Sequence, residues 1–209
     1  MDAHRRKHEM FRVLGRQFCE KHLHEQLIQY VHGINSDESY NLIKSLEPDV
    51  ILIYGTSVIS DRILSLARRE AINMHTGISP YYRGAGCTFW PLYNNEPELL
   101  GATVHQCTSQ IDGGMIYGIF QAQLEADDNL FSVFARCVKA GADLYVKVVR
   151  DLVNRRLHGT MQQLDKGREY KAAMRGGREE MAVRQKIRKG LIRNYVSRRH
   201  RSGTEPNGG

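Results

Sequence analysis

The sequence predicts an α/β fold, an open and mostly parallel sheet flanked by helices, and three observations carry that expectation. Asp49-Val50-Ile51-Leu52-Ile53-Tyr54 is a short, continuous, β-branched run. Such a run suits a strand buried on both faces of a parallel sheet. Shorter strand-like segments follow at Ala71–His75, Gly101–Cys107 and Met115–Leu124. Segments with apolar residues at spacings of three and four alternate with them, the pattern of helices laid on a sheet.

Taken in order, Met10, Val13, Leu14, Phe18, Leu27, Ile28 and Val31 predict a helix from about Glu9 to Val31, stopped by Gly33. Asn35 with Glu38 three positions on predicts a capping box that opens a second helix through Ile43 to Leu46, ended by Pro48. Gly55-Thr56-Ser57 turns the chain after the apolar run, and Ser60-Asp61 opens a short helix over Ile63–Ala67. The segment Thr76 to Gly86 is too rich in Gly and Pro to be regular, and loops of that composition commonly carry function. Cys87 to Tyr93 reads as helical. Phe131, Phe134, Val138, Leu144, Val148 and Leu152 predict a long amphipathic helix over Asn129–Val153, capped by Asp127 or Asp128.

After Arg156 the composition turns polar and basic. The expected division is a domain over 1–157 and a helical, basic extension over 158–209, with one helix from Arg178 to Val196 and a disordered end from Gly203. The net charge of +7 is concentrated at the two ends of the chain. A basic end can hold a polyanion by counterion release. This one carries only two aromatics, Tyr170 and Tyr195, too few for the stacking platform of a single-strand binder. The favoured reading is a solvated helix face, and nucleic acid is not the expected partner.

Cys19, Cys87, Cys107 and Cys137 are widely spread, without zinc-ligand spacing, and read as small buried hydrophobes in a reducing compartment. The N-terminus has no apolar core of a signal peptide, and no apolar run approaches a membrane span, so the expected location is the cytoplasm.

Asn73 and His75 stand two apart on a short strand, so both side chains leave the same face, next to the irregular loop. Asp112 sits in the turn Ile111-Asp112-Gly113-Gly114, whose glycines let backbone pass close to a ligand. An amide, an imidazole and a carboxylate at one sheet edge can act together. The carboxylate orients the imidazole and favours its charged form, while amide and imidazole donate to an oxygen gaining charge. Alone, an Asn-x-His pair is a weak signal beside a satisfied core histidine.

In combination the motifs are specific. Ile72-Asn73-Met74-His75, the loop Ser79-Pro80-Tyr81-Tyr82-Arg83-Gly84, Gly101-Ala102-Thr103-Val104-His105 and Ile111-Asp112-Gly113-Gly114 occur in this order. The set resembles the signature of the folate-dependent formyltransferase family over roughly Leu46–Leu152. It is closest in feel to members acting on amino sugars or small amines, and similar also to methionyl-tRNA and glycinamide ribonucleotide formyltransferases. The resemblance implies a Rossmann-like sheet, 10-formyltetrahydrofolate as formyl donor, a small-molecule amine as substrate and no metal. It implies Asn73, His75 and Asp112 as the catalytic trio. The folate would lie between Thr56-Ser57-Val58-Ile59 and Cys107-Thr108-Ser109-Gln110-Ile111.

Three further residues are read with their alternatives open. Arg83 beside Gly84 would meet an anionic substrate or the folate's glutamate tail, or brace the loop. His105 fits a structural hydrogen bonder better than a catalyst. Trp90, Phe89, Tyr81 and Tyr82 read as packing more than as pocket wall. Relative to the family pattern, the usual first β-α unit is missing before Val50, which leaves a sheet edge open to pairing with a second copy. That absence argues against a glycinamide ribonucleotide enzyme, and the short basic extension is not the larger barrel of the tRNA-modifying members. Alternatives to amine formylation are formyltetrahydrofolate hydrolysis at the same trio, and an inactive folate-binding or scaffold module.

Overall fold

The computed structural model of the chain describes residues 28–202. In order its elements are α1 (Asp37–Leu46), β1 (Val50–Ile53), α2 (Asp61–Leu64), β2 (Glu70–His75), β3 (Tyr82–Gly84), α3 (Trp90–Tyr93), β4 (Gly101–Gln106), β5 (Ile116–Gln121), α4 (Leu130–Val153), β6 (Arg168–Tyr170), α5 (Gly177–Arg188) and α6 (Leu191–Ser202). The helix expected over Glu9–Val31 lies outside the described residues up to its last four positions, and those four are not helical.

The open sheet flanked by helices is the architecture the sequence predicts, in strand order β1-β2-β4-β5. Its parallel ladder joins β1 to β2, whereas β4 pairs antiparallel with both β2 and β5. The connection from β4 to β5 is the turn around Asp112. It is too short for the crossover that parallel neighbours require, so β5 must return antiparallel. Among the described strands β1 is therefore an edge. Leu52 is 52% exposed, so the expected burial on both faces does not hold there. An apolar run can mark an edge strand as well as a central one, because its composition does not report who its neighbours are.

Helix ends follow local chemistry, with corrections. Ser36, not Asn35, caps α1: its hydroxyl accepts from the Ser39 N–H at 3.2 Å. Asn35 instead ties the segment after β1, donating to the Val58 carbonyl at 2.9 Å and accepting from the Ser60 N–H at 2.8 Å. Asn129 caps α4, its Oδ1 accepting from the N–H groups of Phe131 and Ser132. Asp128 is turned away from that role and pairs with Arg136 at 2.7 Å. The basic stretch expected as one helix is two, α5 and α6, broken at Gly190, whose φ of 93° no right-handed helix accommodates.

Three apolar clusters hold the layers together. α4 lays Leu144, Val148 and Leu152 on Ile72, Met74 and Val104 of the sheet. Ile53, Ile59, Ile63, Leu64 and Ala71 form a second cluster, against which Tyr40 and Ile43 of α1 pack. The third gathers Phe89, Trp90, Leu92, Leu100 and Val133 with Val183 of α5 and Ile192 of α6. Val183 and Ile192 are fully buried, so the basic helices present cations outward and close a core inward. No helix among the described residues is long and apolar enough to cross a membrane.

The Gly/Pro loop is less irregular than its composition suggests. Within it Tyr82–Gly84 forms β3, paired in parallel with β6 in a separate two-stranded sheet. Gly84 has φ of 85°, and a Cβ there would stand 2.4 Å from the Tyr170 carbonyl oxygen. Only glycine supplies both the backbone sign and the space.

Candidate active site

β2 ends on the sheet edge that the irregular loop crosses, and it delivers Asn73 and His75 there. β4 runs antiparallel beside it, with Asn73 opposite His105 in the register. The turn leaving β4 brings Asp112 back over both. Sequence spacing pointed to this convergence, and the distances are short. Nδ1 of His75 lies 3.2 Å from Oδ2 of Asp112, Nε2 of His105 lies 3.3 Å from Oδ1, and Nδ2 of Asn73 donates to the same Oδ1 at 3.2 Å. The Gly84 N–H completes the set, donating to Oδ2 at 2.8 Å.

These donors fix the charge of Asp112. Burial works to raise its pKa, but the His105 hydrogen bond, the neighbouring imidazole of His75 and the Gly84 N–H outweigh it and hold the carboxyl below the usual range. Asp112 is an anion at neutral pH.

His75 is buried, and each of its ring nitrogens faces an oxygen: Nδ1 the Asp112 carboxylate, Nε2 the Tyr82 carbonyl at 2.9 Å. Only the doubly protonated ring donates to both. Burial opposes that charge and lowers the pKa, while Asp112 and the Tyr82 carbonyl favour it. A consequence for the expected role follows. With both nitrogens engaged, His75 offers a substrate no free N–H until Nε2 leaves the Tyr82 carbonyl.

His105 has a different assignment. Its Nδ1 faces the Gln106 carbonyl at 2.7 Å, and its Nε2 stands 3.3 Å from Oδ1 of Asp112 and 3.2 Å from the Asn73 amide. His105 thus sits against both Asp112 and Asn73, as a hydrogen bonder of the cluster rather than of the strand alone.

This cluster forms the floor of a cleft of about 840 Å³. Thr56, Ser57, Val58 and Ile59 line one side, and Cys107, Thr108, Ser109, Gln110 and Ile111 another, with Asn73, His75, His105, Gly84 and Asp112 between them. The Cys107 thiol is pushed up to about 11, first by burial and then by Asp112, so it stays protonated. Arg83 is not part of the wall. It is buried, its Nη1 donates to the Ile111 carbonyl at 3.5 Å, and its Nε has no partner. Of the roles left open for it, bracing the loop is the one the geometry displays. Tyr81 and Tyr82 line a second, smaller hollow, and Phe89 and Trp90 are core.

Two contributions escaped the sequence reading. Phe134 of α4, 40% exposed, joins the wall although helical periodicity marked it as core. Glu169, Tyr170, Lys171 and Ala172 close the far side, because β6 pairs with β3. Nothing local in the sequence announces that pairing. Gly114 also answers a need of the fold. A Cβ there would stand 2.1 Å from the Gln106 carbonyl oxygen, so glycine lets the turn pass close to β4.

Comparison with known proteins bears on what such a cleft does. Residues 12–149 match the family described as formyl transferase. Among curated relatives, the chain is 27% identical over 123 residues to a methionyl-tRNA formyltransferase of Chlorobium chlorochromatii, a match covering 59% of this chain and 39% of that protein. The chain thus spans about two fifths of that relative's length. Among solved structures, a sugar N-formyltransferase from a Shewanella species shares the fold with a TM-score of 0.60 at 17% identity, over 74% of this chain and 65% of that one. The formyltransferase PseJ from Anoxybacillus kamchatkensis, solved with UDP-4,6-dideoxy-4-formamido-L-AltNAc and tetrahydrofolate, matches with a TM-score of 0.54 at 24% identity, over 60% of this chain and 66% of that one. A phosphoribosylglycinamide formyltransferase from Anaplasma phagocytophilum matches with a TM-score of 0.53 at 18% identity, over 65% and 69%.

Proposed function

The chain belongs to the formyl transferase family, and from that premise we propose that it moves a formyl group from 10-formyltetrahydrofolate to the primary amine of a small molecule. The observation that carries the reading is the placement of Asn73, His75 and Asp112 on the floor of one cleft whose two sides are the Thr56–Ile59 and Cys107–Ile111 segments. A cleft of about 840 Å³ falls within the range of cofactor-sized sites. Val58, Ile111 and Phe134 offer apolar surface to a flat ring system, and the main chain of both segments offers its polar groups.

When bound, the folate supplies a formyl carbon already activated for transfer. The residues of this chain do the rest. The amide of Asn73, once it turns from His105, and the Nε2 of His75, once released from the Tyr82 carbonyl, donate to the carbonyl oxygen as it gains negative charge. Losing one such donor typically costs about 2.7–4 kcal/mol of barrier. Asp112 holds His75 in orientation and favours its cationic form. It also accepts, through water, the proton that the amine sheds on attack, work worth roughly a hundred- to ten-thousand-fold. Asp112 is neutral while it holds that proton and returns to its anionic form on passing it to the nitrogen from which the formyl group departs.

Amino sugars are the first acceptors to test, since the fold neighbours named above include a sugar N-formyltransferase and a formyltransferase solved with UDP-4,6-dideoxy-4-formamido-L-AltNAc. The experiment is a screen of amines with 10-formyltetrahydrofolate, following release of tetrahydrofolate, run beside His75→Ala. We expect turnover to fall at least about a hundredfold in the variant. Equal rates in the two proteins would remove His75 from the mechanism. Folate turnover without any acceptor would instead assign a hydrolase, and absence of folate binding would assign a scaffold.

A further inference from the structure

Gln162 lies beyond the family-matched residues 12–149 and does not line the cleft. Its side-chain amide nevertheless donates to two main-chain carbonyls of the turn that carries the carboxylate, Asp112 at 2.9 Å and Gly114 at 2.6 Å. Only an NH2 group can serve two carbonyl acceptors at once, so the amide's orientation is fixed by its surroundings. Its Oε1 is left buried and without a partner, which shows that the residue is held for its donors.

The turn needs holding. Asp112 adopts φ of 45°, in the left-handed region that aspartate enters more readily than most residues but only with support from its surroundings. The Gln162 main chain is itself anchored nearby: Thr160 and Ile116 exchange both of their backbone hydrogen bonds, at 2.8 and 2.9 Å, adding a bridge beside β5. Gln162 therefore reaches the turn from a fixed base, with one prong on each side of Gly113.

We infer that Gln162 is a positioning residue for Asp112, a two-pronged clamp from the segment after α4 that sets the direction in which the carboxylate leaves its turn. The inference rests on the part proposed for Asp112 above. Without the clamp the turn relaxes toward ordinary backbone angles, and the carboxylate swings away from the ring of His75. That ring faces Asp112 from the β4–β5 turn, His105 from β4 and the Tyr82 carbonyl from β3. Of these, Asp112 is the one negative charge.

The test uses the full chain as wild type, Gln162→Leu, which has no donor, and Gln162→Glu, which when ionised sets a carboxylate against two carbonyl oxygens and when protonated can donate once. The ring of His75 is titrated by NMR in each, and thermal unfolding checks the fold. In Gln162→Leu the His75 midpoint should fall by about half a pH unit or more, because its anionic neighbour has moved. With the best amine from the screen, kcat should fall about tenfold while KM for the folate changes less than about twofold. In Gln162→Glu the loss should shrink on acidification, a pattern that a general packing defect does not produce.

A folded variant with the wild-type His75 midpoint overturns the inference, and so does a loss of kcat that tracks loss of stability with the midpoint unmoved. Should Gln162→Leu fail to fold, Gln162→Glu carries the same measurement. If wild type neither binds the folate nor turns it over, the proposed function fails while the His75 titration still decides the clamp.

Discussion

Nδ1 of His75 stands 3.2 Å from Oδ2 of Asp112, with only 8% and 12% of the two side chains exposed. Water cannot screen such a pair well, so its protonation is linked to folding. Both groups have folded-state pKa values below their ordinary ones. The unfolded chain then binds more protons than the folded one, and stability rises with pH through each window. The His75 contribution is complete above about pH 6.5 and is lost as pH falls toward its depressed folded value. The Asp112 contribution follows below about pH 4. Urea midpoints measured across pH should therefore fall in two stages on acidification. Asp112→Asn should erase the lower stage, and a lower stage that persists in it would exclude Asp112 as the source.

Gly84 joins two needs at one backbone position, the hydrogen bond to Asp112 and contact with Tyr170. Gly84→Ala should destabilise by about 2 kcal/mol or more, since it combines a left-handed angle with a clash against main chain. Equilibrium denaturation checks it, and a loss below about 0.5 kcal/mol would show that β3 and β6 can part freely.

Tyr145 of α4 places its hydroxyl among main-chain groups of β1 and β2. The Ile53 N–H donates to it at 2.7 Å, and it lies against the carbonyls of Ile53 and Ile72. Because Ile53 leads directly into the Gly55–Ile59 wall, this bond anchors the root of that segment. Tyr145→Phe should cost about 1–2 kcal/mol and weaken folate binding severalfold, as read by calorimetry and by denaturation of the same sample. Affinity unchanged beside reduced stability would separate the anchor from the wall.

The two basic helices differ inside and out. Val183→Asp places a carboxylate in a fully buried apolar site and should cost roughly 3 kcal/mol or more. Arg193→Ala, on the exposed face, should change stability by less than about 0.5 kcal/mol. Thermal melts of the pair test whether the C-terminal helices belong to the core. Equal small effects would mean that they do not.

Much of the site was legible because its signals are short-range. The period of two put Asn73 and His75 on one face, and the order of motifs brought Asp112 to them. What stayed hidden depends on residues far apart in the chain. Gln162 meets Asp112 across a separation of 50 positions, and Glu169 pairs with Arg83 through two strands of three residues each. Periodicity has no purchase on strands that short. Polar residues near helix starts misled in a different way. Asp128 resembles a cap by type, yet a nearby arginine claims it and leaves the role to Asn129. The exposure of Leu52 on β1 was hidden because apolar content reports burial in aggregate and not which neighbour provides it.

The pairing of β3 with β6 has a consequence for biosynthesis. Translation delivers Asn73, His75 and Asp112 early, but the strand that closes the far wall emerges only when Tyr170 clears the ribosome. Until then a nascent chain carries these three side chains without a finished enclosure around them. Premature termination anywhere before that point leaves a polypeptide that holds the trio and lacks the far wall of its cleft.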